Sequence, residues 1–115
     1  METILQDELY RVGYDASVGV VRLQGTLRLN GSEEYAPLIA LLGRALDEHS
    51  ALTLDLRELE FLNSSGIATL SRFVIECRNR KTVGLTVLGT RKVTWQGKSL
   101  VNLQRLMPAL QLDIQ

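Results

Sequence analysis

The sequence predicts an α/β fold, a mixed β-sheet that opens with an N-terminal hairpin and continues with alternating helices and strands. Three observations predict it. Two strand-like runs near the start are joined by the polar turn Asp15-Ala16-Ser17. Stretches of helical periodicity then alternate with short apolar runs. Turn and stop signals, among them Asn30-Gly31-Ser32 and Pro108, fall between them. Alternation of this kind implies parallel pairing through right-handed crossovers, and the hairpin makes the sheet mixed.

Leu9 to Tyr14 and Val18 to Gln24 read as the hairpin strands, with Val18, Val20, Val21 and Leu23 set among Arg22 and Gln24 in an alternating pattern, and Gly25 ending the pair. A helix follows to about Glu48, with Tyr35, Leu38, Leu42, Ala45 and Leu46 at core spacing. Pro37 fits that helix in its first turn, where no intrahelical N–H bond is lost, so a start no earlier than Ser32 is expected. Ala51 to Leu56 is the next strand, Arg57 to Leu62 a bridging loop, and a second helix opens at Ser64 and ends near Lys81. Its apolar face is Ile67, Leu70, Phe73, Val74 and Cys77, and Arg78, Arg80 and Lys81 complement the dipole at its C-terminus. Val83 to Leu88 is a further strand, Lys98 to Leu106 a last helix, and Leu110 to Ile114 a closing strand.

Bulk properties bound the function. With 115 residues, 45% hydrophobic and 23% charged, the chain is expected to form one soluble domain, spanning residues 1–115. No apolar run approaches membrane-spanning length, and the acidic start Met1 to Glu8 lacks the basic region of a signal peptide. A lone cysteine, Cys77, excludes an internal disulfide, and a cytoplasmic location is expected. The net charge is zero, yet residues 1–60 carry −6 and residues 61–115 carry +6. In a folded domain the two halves interleave, so these charges are read as solvating outward faces. The basic groups lack interleaved aromatics, and nucleic acid is not expected as a partner.

Asn63-Ser64-Ser65-Gly66 carries most of the functional interest, because it lies between a strand and an amphipathic helix. The first N–H groups of a helix are free and its dipole favours negative charge there. A serine in that position is either an N-cap or a well-placed phosphate acceptor.

The run Asp55-Leu56-Arg57-Glu58-Leu59-Glu60-Phe61-Leu62-Asn63-Ser64-Ser65-Gly66-Ile67 resembles the STAS domains, the family of bacterial anti-sigma-factor antagonists. Members read Asp-Leu-Ser, two hydrophobic positions one residue apart, then Asp-Ser-Ser-Gly-Leu or Asp-Ser-Thr-Gly-Leu. Val20 to Gly25 with Thr26-Leu27 resembles the family's second strand and Gly-x-Leu segment. The resemblance implies helices packed mainly on one face of the sheet. It also implies a regulator without catalytic activity that binds a serine kinase acting as anti-sigma factor. Phosphorylation of the serine after the motif Asp releases that partner, and a phosphatase restores binding. The matching residue is Ser64, with Ser65 as second choice. Arg28, Asn63, Ser64, Ser65, Gly66 and Trp95 form the expected partner-binding set. Two positions depart from the family: the motif Asp is Asn63, and the Asp often found after Gly-x-Leu is Arg28. If its loop lies beside Ser64, Arg28 can pair with a phosphate. The competing expectation is a non-phosphorylated STAS scaffold in stress signalling or transporter regulation, with Ser64 serving only as a cap.

The remaining candidates have plainer explanations. Tyr35 reads as a half-buried helix residue, His49 as a satisfied surface or capping histidine, and Cys77 as inert core. Asp55, Glu58 and Glu60 read as solvated charges near a loop. No phosphate-cradling loop, nucleophile elbow or zinc motif is present, so no cofactor, metal ion or catalytic residue is expected. The segment Thr90 to Lys98 reads as a strand-end loop whose Trp95, flanked by cations, either contacts a partner or packs on the fold.

Overall fold

The computed structural model describes residues 1–115. Six strands form one sheet in the order β1 to β6: β1 (Glu2–Gln6), β2 (Tyr10–Asp15), β3 (Val20–Leu27), β4 (Ala51–Leu62), β5 (Gly84–Gly89) and β6 (Gln111–Ile114). Helices α1 (Gly31–Glu48), α2 (Ser64–Arg80) and α3 (Thr94–Leu106) are the crossovers of the parallel half. β1, β2 and β3 pair antiparallel, whereas β3–β4, β4–β5 and β5–β6 are parallel.

Strand alternation sorts the two faces of this sheet. Val21, Leu23, Leu52, Leu54, Leu85 and Val87 are buried against the helices, joined by Leu38, Leu42, Leu70, Val74, Cys77, Leu100 and Leu103. The opposite face presents Arg22, Thr53, Thr86 and Asp113, none of them buried. All three helices therefore cover one face, as the resemblance implies. No helix is long and apolar enough to cross a membrane.

Several expectations about the elements need correction. The acidic start is itself a strand, β1, so the opening hairpin is the inner part of a three-stranded meander. Pro37 lies in the second turn of α1, which begins at Gly31. It is tolerated there because it sits on the exposed side of the helix, where the freed carbonyl meets water. α3 starts at Thr94, so Trp95 and Gln96 are helical and the preceding loop is short. His49 caps α1 through its backbone N–H on the Ala45 carbonyl, but its Nε2 is buried without a hydrogen-bond partner, so it is not a satisfied histidine.

The largest correction is β4. The expected bridge Arg57 to Leu62 is strand, which makes β4 twelve residues long and puts Glu58 and Glu60 on a strand instead of a loop. Two irregularities hid it. From Arg22 to Gln24, β3 advances two residues while β4 advances three from Asp55 to Glu58. From Gly25 to Thr26, β3 advances one while β4 advances two from Leu59 to Phe61. Bulges of this kind break the period of two on which strand recognition depends.

Asp55 is not a solvated charge. It is 2% exposed on the otherwise open face, and its carboxylate accepts hydrogen bonds from Arg57 Nε at 3.0 Å, Arg57 Nη2 at 2.9 Å and Arg22 Nε at 3.1 Å. Burial pushes its pKa up, but the hydrogen bonds from the Arg57 side chain and backbone and from Arg22 outweigh this and hold it below the usual carboxylate value. A lowered folded-state pKa contributes stability above the unfolded value of about 3.9, and the contribution is lost as pH falls through the folded one. Asp55→Asn is expected to cost about 1–2 kcal/mol near neutral pH, because its arginine partners stay solvated. It should cost almost nothing in strong acid. Urea denaturation of both proteins at each pH checks the sign.

Candidate functional site

The carboxyl ends of β3 and β4 and the N-termini of α1 and α2 meet at one edge of the molecule, where open α/β sheets present their binding loops. Asn63 follows β4 in extended conformation, φ −77° and ψ 176°, and is the N-cap of α2. Its Oδ1 accepts the Gly66 N–H at 2.9 Å and the Tyr35 hydroxyl at 2.7 Å. Its Nδ2 donates to the Leu29 carbonyl at 2.8 Å. The backbone adds a bond from Asn63 N to the Leu27 carbonyl at 3.1 Å. One side chain thus starts α2, anchors α1 through Tyr35 and fixes the loop that carries Arg28.

That geometry explains the departure from the family's Asp. An aspartate could accept from Gly66 and Tyr35, but it has no donor for the Leu29 carbonyl and would set two acceptors against each other. Asn63→Asp is expected to lower stability by about 1–3 kcal/mol and to loosen residues 28–30. Thermal unfolding and amide exchange at Leu29 and Asn30 are the readouts; an unchanged melting point would contradict it.

Tyr35 is fully buried, not half-buried. Burial raises its phenol pKa, which keeps it a donor to Asn63. Gly66 is also buried, and its lack of a side chain serves this internal contact. A Cβ there would lie 2.2 Å from Leu62 Cδ1 and 2.6 Å from the Tyr35 hydroxyl. Gly66 therefore makes room for two side chains of its own chain, Leu62 and Tyr35.

The two serines differ. Ser65 is half-buried and its Oγ accepts the Gly31 N–H at 3.3 Å, tying the start of α1 to the start of α2. Ser64 is exposed, and no hydrogen bond within the protein engages its hydroxyl. Capping is done by Asn63, so the helix start does not need the Ser64 hydroxyl.

Where β3 and β4 end, the surface combines cation and aromatic. Arg28 is exposed, and its guanidinium lies 4.6 Å from the centroid of Phe61, itself 38% exposed. The parallel register pairs Thr26 with Phe61 and Leu27 with Leu62, which carries Arg28 alongside Asn63. Trp95 is half-buried, its Nε1 donating to the Glu60 carbonyl at 2.9 Å. Beside it Gln96, wholly buried, donates from Nε2 to the Leu56 carbonyl at 2.7 Å and the Leu59 carbonyl at 2.9 Å. Its Oε1 accepts the Thr90 N–H at 2.8 Å. β5 pairs with β4 only as far as Asp55, so Gln96 and Trp95 take over the hydrogen bonding on that side of the β4 extension, which carries Phe61 and leads into Asn63.

Arg28, Asn63, Ser64, Ser65 and Gly66 thus come together at one edge, and Trp95 buttresses it from α3. Tyr35, Phe61 and Gln96 were not singled out as site residues. Tyr35 alone left a trace in the sequence, as the one polar-tipped residue on the buried stripe of α1.

No protein-family model and no curated protein matches the sequence. Solved structures do match. The chain is similar over its full length to SiaC of Pseudomonas aeruginosa, with 19% identity, 98% of that chain covered and a TM-score of 0.74. It is equally similar to a chain in the complex of the diguanylate cyclase SiaD with its activator SiaC from the same organism (19% identity, 100% and 98% coverage, TM-score 0.75). An anti-sigma factor antagonist from Mycobacterium paratuberculosis matches 93% of this chain and 90% of its own, at 25% identity and TM-score 0.62. The fold is STAS-like.

Proposed function

We propose that this chain is a small cytoplasmic regulatory protein that works by partner switching, in the manner of an anti-sigma-factor antagonist. It binds a serine kinase that doubles as an anti-sigma factor, through the edge formed by Arg28, Ser64, Ser65 and Trp95. Asn63 and Gly66 hold that edge in shape. Phosphorylation of Ser64 breaks the complex, and a phosphatase restores it. The observation that carries this reading is the idle hydroxyl of Ser64: the cap is Asn63, so the exposed serine is free for chemistry. Ser65, engaged by Gly31, is the second choice.

Phosphate would add nearly two negative charges and three strong acceptors at the N-terminus of α2. The helix dipole and free N–H groups tolerate that charge, so the fold stays intact. A partner surface docked over Ser64 would have to desolvate it, and an acidic one would also repel it.

A second reading differs in the partner. The full-length likeness to SiaC, an activator of a diguanylate cyclase, favours a STAS module whose target is a signalling enzyme and not a sigma-factor regulator. The scaffold form of this reading needs no phosphate on Ser64. Incubation with a candidate serine kinase and ATP, followed by mass mapping, should place phosphate on Ser64 and not on Ser65. Absence of phosphate on both serines would overturn the kinase reading and leave the scaffold.

A further inference from the structure

We propose that Arg28 is a two-position arm, stacked on Phe61 in the unphosphorylated protein and drawn onto the phosphate when Ser64 is modified. This inference rests on the reading of Ser64 as the phosphoacceptor.

Both positions have support in the structure. The first is the cation–π contact between Arg28 and Phe61 at 4.6 Å. Such a contact at an exposed site is strong enough to favour one position and weak enough to give up. Arg28 also has no competing carboxylate: the ion pairs of the molecule involve Arg22, Arg44, Arg57 and Arg80.

The second position follows from how the loop is attached. Leu29 accepts from Asn63, and Gly31 donates to Ser65, so the loop after β3 is stapled to the chain on both sides of Ser64. The strand register brings Arg28 beside Asn63, one residue before the serine. The long Arg28 side chain, anchored there, need only turn towards Ser64 by changing rotamers. Arg–phosphate bonds are charge-assisted and bidentate, and stronger than an exposed cation–π contact.

The consequence reaches beyond the serine. Arginine and aromatic residues are the favoured anchors of protein interfaces. In the unphosphorylated state the Arg28–Phe61 pair is a flat, cationic, partly apolar patch. Transfer of Arg28 to the phosphate neutralises its charge and leaves Phe61 bare. Phosphorylation would therefore dismantle part of the docking surface as well as adding charge, which makes the local event a change in surface chemistry.

The test uses the full chain with phosphoserine installed at position 64 during synthesis, in wild type, Arg28→Ala and Arg28→Lys. Phosphorus NMR titration reads the second phosphate pKa. With Arg28 on the phosphate, that pKa lies about 0.5–1 unit lower in wild type than in Arg28→Ala, with Arg28→Lys between them. The δ-protons of Arg28 provide an independent readout. The Phe61 ring current shifts them upfield in the unphosphorylated protein, and the shift disappears on phosphorylation and in Phe61→Leu. Equal pKa values in the three proteins, or an Arg28 ring-current shift that survives phosphorylation, would overturn the arm and leave the partner switch standing. A lowered pKa in a protein that still holds its partner would overturn the switch and leave the arm.

Discussion

Gln96→Leu is expected to lower the unfolding free energy by about 3–5 kcal/mol, although the exchange is close to volume-conserving and apolar. Leucine fills the space but leaves the Leu56 and Leu59 carbonyls and the Thr90 N–H without partners. Each orphaned buried group costs about 1–3 kcal/mol, and water entering from the sheet edge recovers part of the sum. β5 cannot compensate, because its pairing with β4 stops at Asp55. The damage should be directional. Amide exchange accelerates along residues 56 to 63, which carry Phe61 and the Asn63 cap, more than in β5 or the body of α2. Chemical denaturation measures the total, and a loss below about 1 kcal/mol would show that Gln96 is not what secures the β4 extension.

How much of this was legible in the sequence depended on periodicity. The stripe on α1 and the apolar runs of β3, β5 and the first half of β4 are regular, so element type and order could be read from them. The second half of β4 could not, because its two bulges put Glu58, Glu60 and Phe61 out of step with an alternating pattern. Asp55 was misread for a related reason. A carboxylate in a strand looks solvated until its partners are known, and one of them, Arg22, lies on a different strand.

The site shows the same division. Asn63 and Gly66 were legible as a helix start because capping is local chemistry. That Gly66 makes room for Tyr35 and Leu62, and that Asn63 must be an amide to reach Leu29, are facts of tertiary packing. Local sequence holds no trace of Gln96, which bonds residues 37 and 40 positions away. The question the sequence left open, whether Ser64 caps or is free, turned on a competition between neighbours. Asn63 takes the Gly66 N–H, and Ser64 is left exposed.

If Ser64 is the switch proposed above, Ser64→Asp is expected to weaken partner binding about 100-fold or more, equivalent to about 2.7 kcal/mol, while leaving the fold intact. The carboxylate meets the helix dipole favourably within the free protein, so the melting temperature holds or rises slightly. The loss falls entirely on the complex, where the charge must be desolvated against the partner. Ser64→Ala removes a hydroxyl with no intramolecular bond, so it should leave both stability and affinity within a few-fold of wild type.

The decisive measurement is an equilibrium titration of wild type, Ser64→Ala and Ser64→Asp against a serine kinase of the anti-sigma class. Retained binding by the alanine variant, with loss of binding by the aspartate variant at an unchanged melting temperature, is the result expected of a switch at Ser64. Equal binding by all three proteins would contradict it.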